Sequence, residues 1–194
     1  SAASDVYKRQ MKRFTFIMAL FMLMLAGNAA AQEKEELTKA EKKALQERID
    51  SLQFAEAEQA INDRAFTLEA DKVIFKYGQT AYVTSNTNFV SVQDDQATVQ
   101  VAFNIPISGP NGLGGVTVDG RFSDYKLDKD KKGNIYLSFN VTGSGISARI
   151  NITLYYGNNN ARVDITPNFN SNRLSLSGVI VPLHKSNVFK GRSI

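Results

Sequence analysis

The chain has 194 residues, of which 43% are hydrophobic, and its 12 Phe and 7 Tyr supply enough apolar material to fill a core. It contains no Cys and one His, which excludes a disulfide scaffold, a zinc-thiolate site, a cysteine nucleophile and any metal site that needs two imidazoles. The formal net charge of +4 comes largely from bases near the N-terminus, so the clustered basic stripe of a nucleic-acid binder is missing and no nucleic-acid partner is expected.

Residues 11–31 predict an export signal, and residues 1–10 before it are interpreted as a non-native leader. A basic start leads into a short apolar run, and Ala29 and Ala31 supply the small side chains that signal peptidase requires. We therefore expect cleavage before Gln32, a periplasmic or secreted protein, and no membrane span after cleavage. The alternative is a retained anchor, for which the apolar run is short.

Residues 32–65 predict one charged helix, because they are rich in Glu, Lys, Ala and Gln and contain neither Gly nor Pro. Thr38 and Glu41 fit a capping box at its start. Two partial apolar stripes follow, the first at Leu45, Ile49 and Leu52 and the second at Phe54, Ala57, Ile61 and Ala65. We expect the second half of the helix to dock on a sheet, and the alternative is a solvated spacer.

From Phe66 onward the apolar residues repeat with a period of two, which predicts strands with one buried face. The clearest alternating segments are 66–70, 97–103, 135–141, 146–156, 161–165 and 174–180, with shorter candidates at 89–92, 116–118 and 122–127. Short polar breaks between them predict hairpins and hence antiparallel neighbours. We predict a mainly β fold over residues 66–194, an antiparallel β-meander closing as a barrel or sandwich, preceded by one N-terminal α-helix.

Patterns that would indicate catalysis or metal binding are weak. Asp128, Asp130 and Gly133 have the spacing that opens a calcium loop, but three lysines flank them and no Glu closes the loop, so we interpret the segment as a hairpin turn. His184 follows the last predicted strand, and the chain has no G-x-S-x-G motif. We therefore expect no catalytic residues, no metal and no cofactor, and thus no enzyme.

Several polar and aromatic residues are candidates for ligand binding. Tyr136 and Tyr155 fall on the wetter faces of their strands, and Arg149 occupies a neighbouring wet position. Together they predict a surface for carbohydrate or peptide, the alternative being ordinary cross-strand pairing. A Gly-rich stretch that includes Asn111 and Gly112 lacks the Lys-Ser or Lys-Thr of a phosphate loop. We expect it to connect two strands, the alternative being that it lines a ligand site at a barrel mouth.

The order of several short motifs is similar to that of a known family. These motifs are Thr84-Ser85-Asn86, Gly114-Gly115-Val116, Asp119-Gly120, Asp124-Tyr125-Lys126, Lys132-Gly133-Asn134-Ile135 and Ser177-Gly178 ahead of Val181-Pro182-Leu183. On these residues the chain resembles the domain-of-unknown-function 4251 family of secreted Bacteroidetes proteins, over about residues 66–183. The resemblance implies export and offers neither an assigned activity nor catalytic residues.

Three functions are compatible with these observations. The first is a non-enzymatic periplasmic β domain that binds a small apolar ligand, a glycan or a peptide. The second is a structural or interaction module of the cell envelope, which uses the acidic helix to dock on an envelope protein, and the third is an envelope hydrolase. A pocket of roughly 300 Å³ or more inside the β domain would favour the first function. A filled core with a large exposed apolar patch would favour the second.

Overall fold

The computed structural model describes residues 38–102, 115–168 and 173–193. The predicted leader and export signal, including Ala29, Ala31 and Gln32, lie outside the described residues. The described elements are α1 (Lys39–Asn62), β1 (Ala65–Phe75), β2 (Thr80–Tyr82), β3 (Phe89–Gln93), β4 (Gln96–Ala102), β5 (Gly115–Lys129), β6 (Ile135–Thr142), β7 (Ser147–Leu154), β8 (Asn160–Pro167), β9 (Leu174–Pro182) and a 3₁₀ turn, η1 (Leu183–Lys185). None of the helices in this described part is long and apolar enough to cross a membrane.

Helix α1 begins at the predicted capping box. The Thr38 amide donates to Glu41 Oε2 at 2.8 Å, and the Glu41 amide donates to Thr38 Oγ1 at 3.3 Å. The hydrogen bond from the Thr38 amide holds the pKa of Glu41 below its usual range. The helix ends at Asn62, and Arg64 then adopts a left-handed backbone conformation (φ 54°) that turns the chain into β1.

The division of the chain into two units falls after Lys42, and the described strands belong to the second unit, Lys43–Ile194.

The strands form a closed antiparallel barrel with eight strand positions around its wall. This confirms the predicted fold class and selects the barrel over the sandwich. Each of β3 to β9 pairs with its neighbour in sequence order, and β9 pairs back along the whole of β1, from Phe66–Pro182 to Phe75–Leu174. The short strand β2 pairs with β1 beyond the end of β3, so β2 and β3 together occupy one strand position in the barrel wall. Closure leaves the barrel without long unpaired edges.

Strand β7 shows how the alternating pattern maps onto the barrel wall. Its even-numbered residues are buried in the interior, with Ile150 at 0% and Ile152 at 1% exposure, while Arg149 and Asn151 face outward. The predicted segment 146–156 is shortened to eight residues in the structure. The longest described strand is instead β5, which joins two short predicted segments. A register irregularity between Ser123 and Lys126 interrupts the alternation of apolar and polar residues in β5, so the sequence pattern shows two separate segments.

The second half of α1 packs against one end of the barrel, called here the closed end. Its inward side chains Phe54, Ala57, Ala60 and Ile61 are buried in the same core cluster as the strands. The ring of Phe54 packs edge-on against Tyr156 with 5.2 Å between centroids, and the hydroxyl of Tyr125 donates to the Ile61 carbonyl at 2.6 Å. Burial raises the pKa of Tyr125 to about 12, although the nearby Arg64 guanidinium opposes the shift. The first apolar stripe of the helix remains exposed.

The segment after η1 crosses the outer wall over β3, β4 and β5. It covers Gln100, whose side chain is fully buried and therefore needs partners. Gln100 Nε2 donates to the Phe189 carbonyl at 2.8 Å, and its Oε1 accepts from the Gly191 amide at 2.7 Å. Lys190 Nζ lies 2.5 Å from Asp119 Oδ2. Burial raises the pKa of Asp119, but hydrogen bonds from Lys190 and Thr98 outweigh it, and the net pKa shift is downward.

Candidate functional site

The end of the barrel away from α1 contains a cavity of about 550 Å³, called here the mouth cavity. Its apolar lining consists of Phe75, Tyr77, Val99, Val101, Val116, Val118, Ile146, Ala148, Ile165, Pro167 and Leu174. The deepest of these side chains are nearly inaccessible, with Ala148 at 3% and Val118 at 5% exposure, whereas Phe75 and Val116 at the rim are each 37% exposed. As formed by the described residues, the cavity is therefore a pit that opens toward solvent at one end.

Small side chains create the mouth cavity. An eight-stranded barrel has an interior just wide enough for side chains to fill it or to hold one small ligand. Near the closed end the interior positions carry large residues such as Phe66, Leu68 and Leu154, which are fully buried. Near the mouth, by contrast, β4, β5 and β7 present Val and Ala to the interior. These short side chains do not meet across the barrel, and space remains between them.

Among the described residues, the charged ones that line the mouth cavity are Lys76 and Arg173. They flank a cross-strand pair, because Lys76 follows Phe75 in β1 and Arg173 precedes Leu174 in β9. Lys76 also places its Nζ 5.7 Å from the centroid of the Tyr77 ring. Both cations thus lie at one point of the rim, where the apolar lining meets solvent.

The same two cations line a second depression, called here the outer groove, which has a volume of about 670 Å³ and runs over the outer wall of β7, β8 and β9. The described ionisable residues that line it are four bases, Lys76, Arg149, Arg162 and Arg173, and one acid, Asp164. Arg162 engages this acid, with Nε 3.2 Å from Asp164 Oδ1, and Ser175 donates to the same carboxylate oxygen. Among the described residues, no acidic side chain forms an ion pair with Arg149 or Arg173.

The structure separates the residues that the sequence nominated for ligand binding. Tyr136 and Tyr155 lie near the closed end, each 43% exposed, and Tyr136 donates to Asp130 Oδ2 at 3.1 Å, which raises the pKa of Tyr136. Arg149 is six residues from Tyr155 along an extended chain, or about 20 Å, and it lines the outer groove. Asn111 and Gly112 lie outside the described residues. The tyrosines and Arg149 therefore do not form one site.

The segment from Asp128 to Asn134 is a hairpin turn whose carboxylate is already engaged. Asp130 accepts hydrogen bonds from the Asn134 side chain at 2.9 Å and from the Asn134 and Lys132 amides at 2.9 and 2.8 Å. These bonds, the Asn134 side chain foremost, hold the pKa of Asp130 below its usual range. No group of three or more His, Asp or Glu residues within the described ranges is placed to hold a metal ion.

The single imidazole lies far from the mouth cavity. His184 belongs to η1, after β9, and is exposed. It lines a pocket of about 230 Å³ between α1 and the end of β9, together with Glu56 and Asp63. The outward-facing pair Ser175 and Asp164 lies toward the other end of the barrel, so the described residues do not bring these groups together as a nucleophile, a base and an acid.

Sequence reasoning missed Lys76 and Arg173 as site residues. Each stands next to the end of a strand, where charged residues are common and carry no special signal. A register irregularity between Ala70 and Lys72 also shifts the alternation of β1, so the sequence did not indicate that this strand continues to Phe75. Their role at the rim follows only from the pairing of β1 with β9.

The fold and the cavity define a closed eight-stranded antiparallel β-barrel with a helix at one end and an apolar pit at the other. A family model described as a domain of unknown function, DUF4251, matches residues 48–180, and the chain belongs to this family. It is similar to a DUF4251 family protein from Bacteroides eggerthii whose crystal structure is known, with 55% identity and a TM-score of 0.66, over 76% of this chain and 99% of that one. No curated protein matches the chain. The family predicted from the sequence motifs is thus confirmed, and neither description names a ligand or an activity.

Proposed function

We propose that this protein binds a small apolar ligand in the mouth cavity. The observation that carries the proposal is a pit of about 550 Å³ with an almost entirely apolar lining inside a barrel whose other end is covered by α1. Ligand sites in proteins are typically concave, apolar and roughly 300–1,000 Å³ in volume. Water in such a pit makes few hydrogen bonds with the walls, and an apolar molecule that displaces it gains from burial.

We propose that the protein binds its ligand and does not catalyse its conversion. The described lining of the mouth cavity offers no carboxylate, imidazole or aliphatic hydroxyl that could act as a general base or a nucleophile. The polar groups of the described lining are the Lys76 and Arg173 cations and the Tyr77 hydroxyl at the rim. Such a lining suits retention of a molecule better than its conversion.

We also propose that binding takes place in the periplasm or outside the cell, as the export signal in residues 11–31 suggests. N-terminal sequencing of the protein from the producing cell should give Gln32 as the first residue. A chain retained in membranes with residues 11–31 intact would contradict the proposed location.

Binding can be measured with N-phenyl-1-naphthylamine, an uncharged probe whose fluorescence rises in apolar surroundings. We expect saturable binding that Ala148→Phe weakens at least tenfold, because the new ring occupies the pit that Ala148 lines. Thr153→Phe is the matched control, since Thr153 lies on the outward-facing side of the same strand, and it should leave binding unchanged. If Ala148→Phe fails to fold, Val116→Phe at the more exposed rim replaces it. Unsaturable binding, or equal binding by the blocked and control variants, would refute the proposal.

A second candidate function, an interaction module of the envelope, is favoured by one observation. The first stripe of α1 exposes Leu45, Ile49 and Leu52 at 49%, 39% and 61%, and these residues recur along one side of the helix. Such a stripe can pack against a partner helix. Replacing all three residues with Gln should abolish binding to an envelope partner and leave probe binding in the mouth cavity unchanged.

A further inference from the structure

The rim of the mouth cavity carries one sign of charge. Its described apolar lining is interrupted only at Lys76 and Arg173, and the adjoining outer groove continues the positive field with Arg149 and Arg162. Among the described residues, Asp164 is the single acid lining either depression, and its carboxylate is engaged by Arg162 and Ser175. Within the described ranges no acidic side chain forms an ion pair with Arg149 or Arg173, and Arg173 lies at the rim of the pit.

We propose, on the basis of the proposed function, that the ligand is an amphiphile with an apolar body and an anionic head group. The apolar body would occupy the pit between β4, β5 and β7. The head group would lie at the rim beside Arg173, where it remains partly solvated and accepts charge-assisted hydrogen bonds. A carboxylate or a phosphate monoester satisfies this description, since both present oxygen acceptors to a guanidinium.

The geometry explains why the charge would select a head group rather than a fully polar ligand. A charged group inside the pit would lose its hydration without a partner, which is costly. At the rim the same group keeps water on one side and faces Arg173 on the other. Arg173 lines both depressions, so it can serve a head group that points along the outer groove as well as one that points straight out.

Displacement of N-phenyl-1-naphthylamine by four ligands with the same ten-carbon chain tests this inference. The ligands are decanoate, decyl phosphate, decanol and decyltrimethylammonium, each used below its micellar concentration. We expect the two anions to bind about 1.5- to fivefold more tightly than decanol, the size of effect typical of a solvent-exposed ion pair. The cation should bind more weakly than decanol. A difference between decanoate and decyl phosphate would identify the preferred head group.

The variant Arg173→Gln combined with Arg149→Gln should reduce the preference for anions over decanol, measured as the ratio of their affinities. Lys131→Gln is the matched control, because it removes an exposed base from the β5–β6 turn at the closed end and should preserve the preference. Raising the NaCl concentration to about 0.5 M should weaken binding of the anions to the unaltered protein and leave decanol unaffected. This salt measurement tests the inference without any variant.

The outcomes separate the two proposals. Equal binding of decanol and the anions, tighter binding of the cation, or an anion preference that survives both arginine substitutions would overturn the head-group inference while leaving the mouth cavity as a binding site. Failure of the probe and of all four ligands to bind would overturn the proposed function itself. Anion preference that is lost with the arginines and in salt would support both.

Discussion

Replacing Gly178 with Ala tests the seam that closes the barrel. Gly178 lies in β9 opposite Ala70 of β1, beside the register irregularity of that strand. A Cβ atom at this position would lie 1.9 Å from the Glu69 carbonyl oxygen and 2.7 Å from the Ala70 Cα, both of them backbone atoms. Real Cβ contacts are essentially never shorter than 3.0 Å. The backbones of β1 and β9 would therefore have to separate by about 1 Å, which strains the ladder between them.

Overpacking of this kind typically costs about 1–3 kcal/mol and occasionally more. We expect a loss of about 3 kcal/mol for Gly178→Ala, since a backbone rather than a flexible side chain must move. For a domain of this size that loss corresponds to a decrease in melting temperature of about 6–12 °C, measured by circular dichroism. Gly145→Ala is the control, because a Cβ at Gly145 meets nothing within 4 Å, and it should change the melting temperature by less than about 3 °C. If the two variants melted at the same temperature, the close approach of β1 and β9 would be wrong.

Three further predictions concern the core, a buried tyrosine and the hairpin turn. Ile150→Ala should cost about 2–5 kcal/mol by leaving a cavity, whereas Asn151→Ala should cost less than about 1 kcal/mol; equal losses in urea unfolding would contradict the assignment of faces. Because burial raises the pKa of Tyr125 to about 12, its contribution to stability is complete below its unfolded pKa of 10.0 and is lost as pH rises through 12. Wild-type stability should therefore fall more steeply between pH 10 and 12 than that of Tyr125→Phe, and parallel curves would refute this. Calcium should leave the melting temperature unchanged, and a rise that Asp128→Ala with Asp130→Ala abolishes would show a calcium site.

The period-two alternation predicted most of the strands and their buried faces, but it did not indicate β2 or the second half of β1, and it divided β5 into two segments. In β7 each inward position is apolar and each outward one polar, so local sequence carries the information. Closure of the barrel could not be predicted in the same way. It depends on the pairing of β1 with β9, which are far apart in sequence, and the alternation within each strand is the same in a barrel and in a sandwich. Only the number, tilt and register of the strands distinguish the two folds.

The mouth cavity could not be predicted from individual residues. Val99, Val118 and Ala148 look like ordinary core positions, and the space between them appears only when their volumes are compared across the closed barrel. The predicted grouping of Tyr155 with Arg149 is limited by distance along the strand. Six residues of extended chain already place them too far apart for one small ligand to contact both side chains.

A methyl NMR titration with decanol is the most direct test of the central claim, that the apolar pit of the barrel is a binding site. If the pit is a binding site, the methyl signals of Val99, Val118 and Ile165, which line it, should show saturable shifts. The methyl signals of Leu154, toward the closed end, should move little. Shifts confined to the exposed stripe at Leu52, or no saturable shifts among the pit residues, would contradict the account.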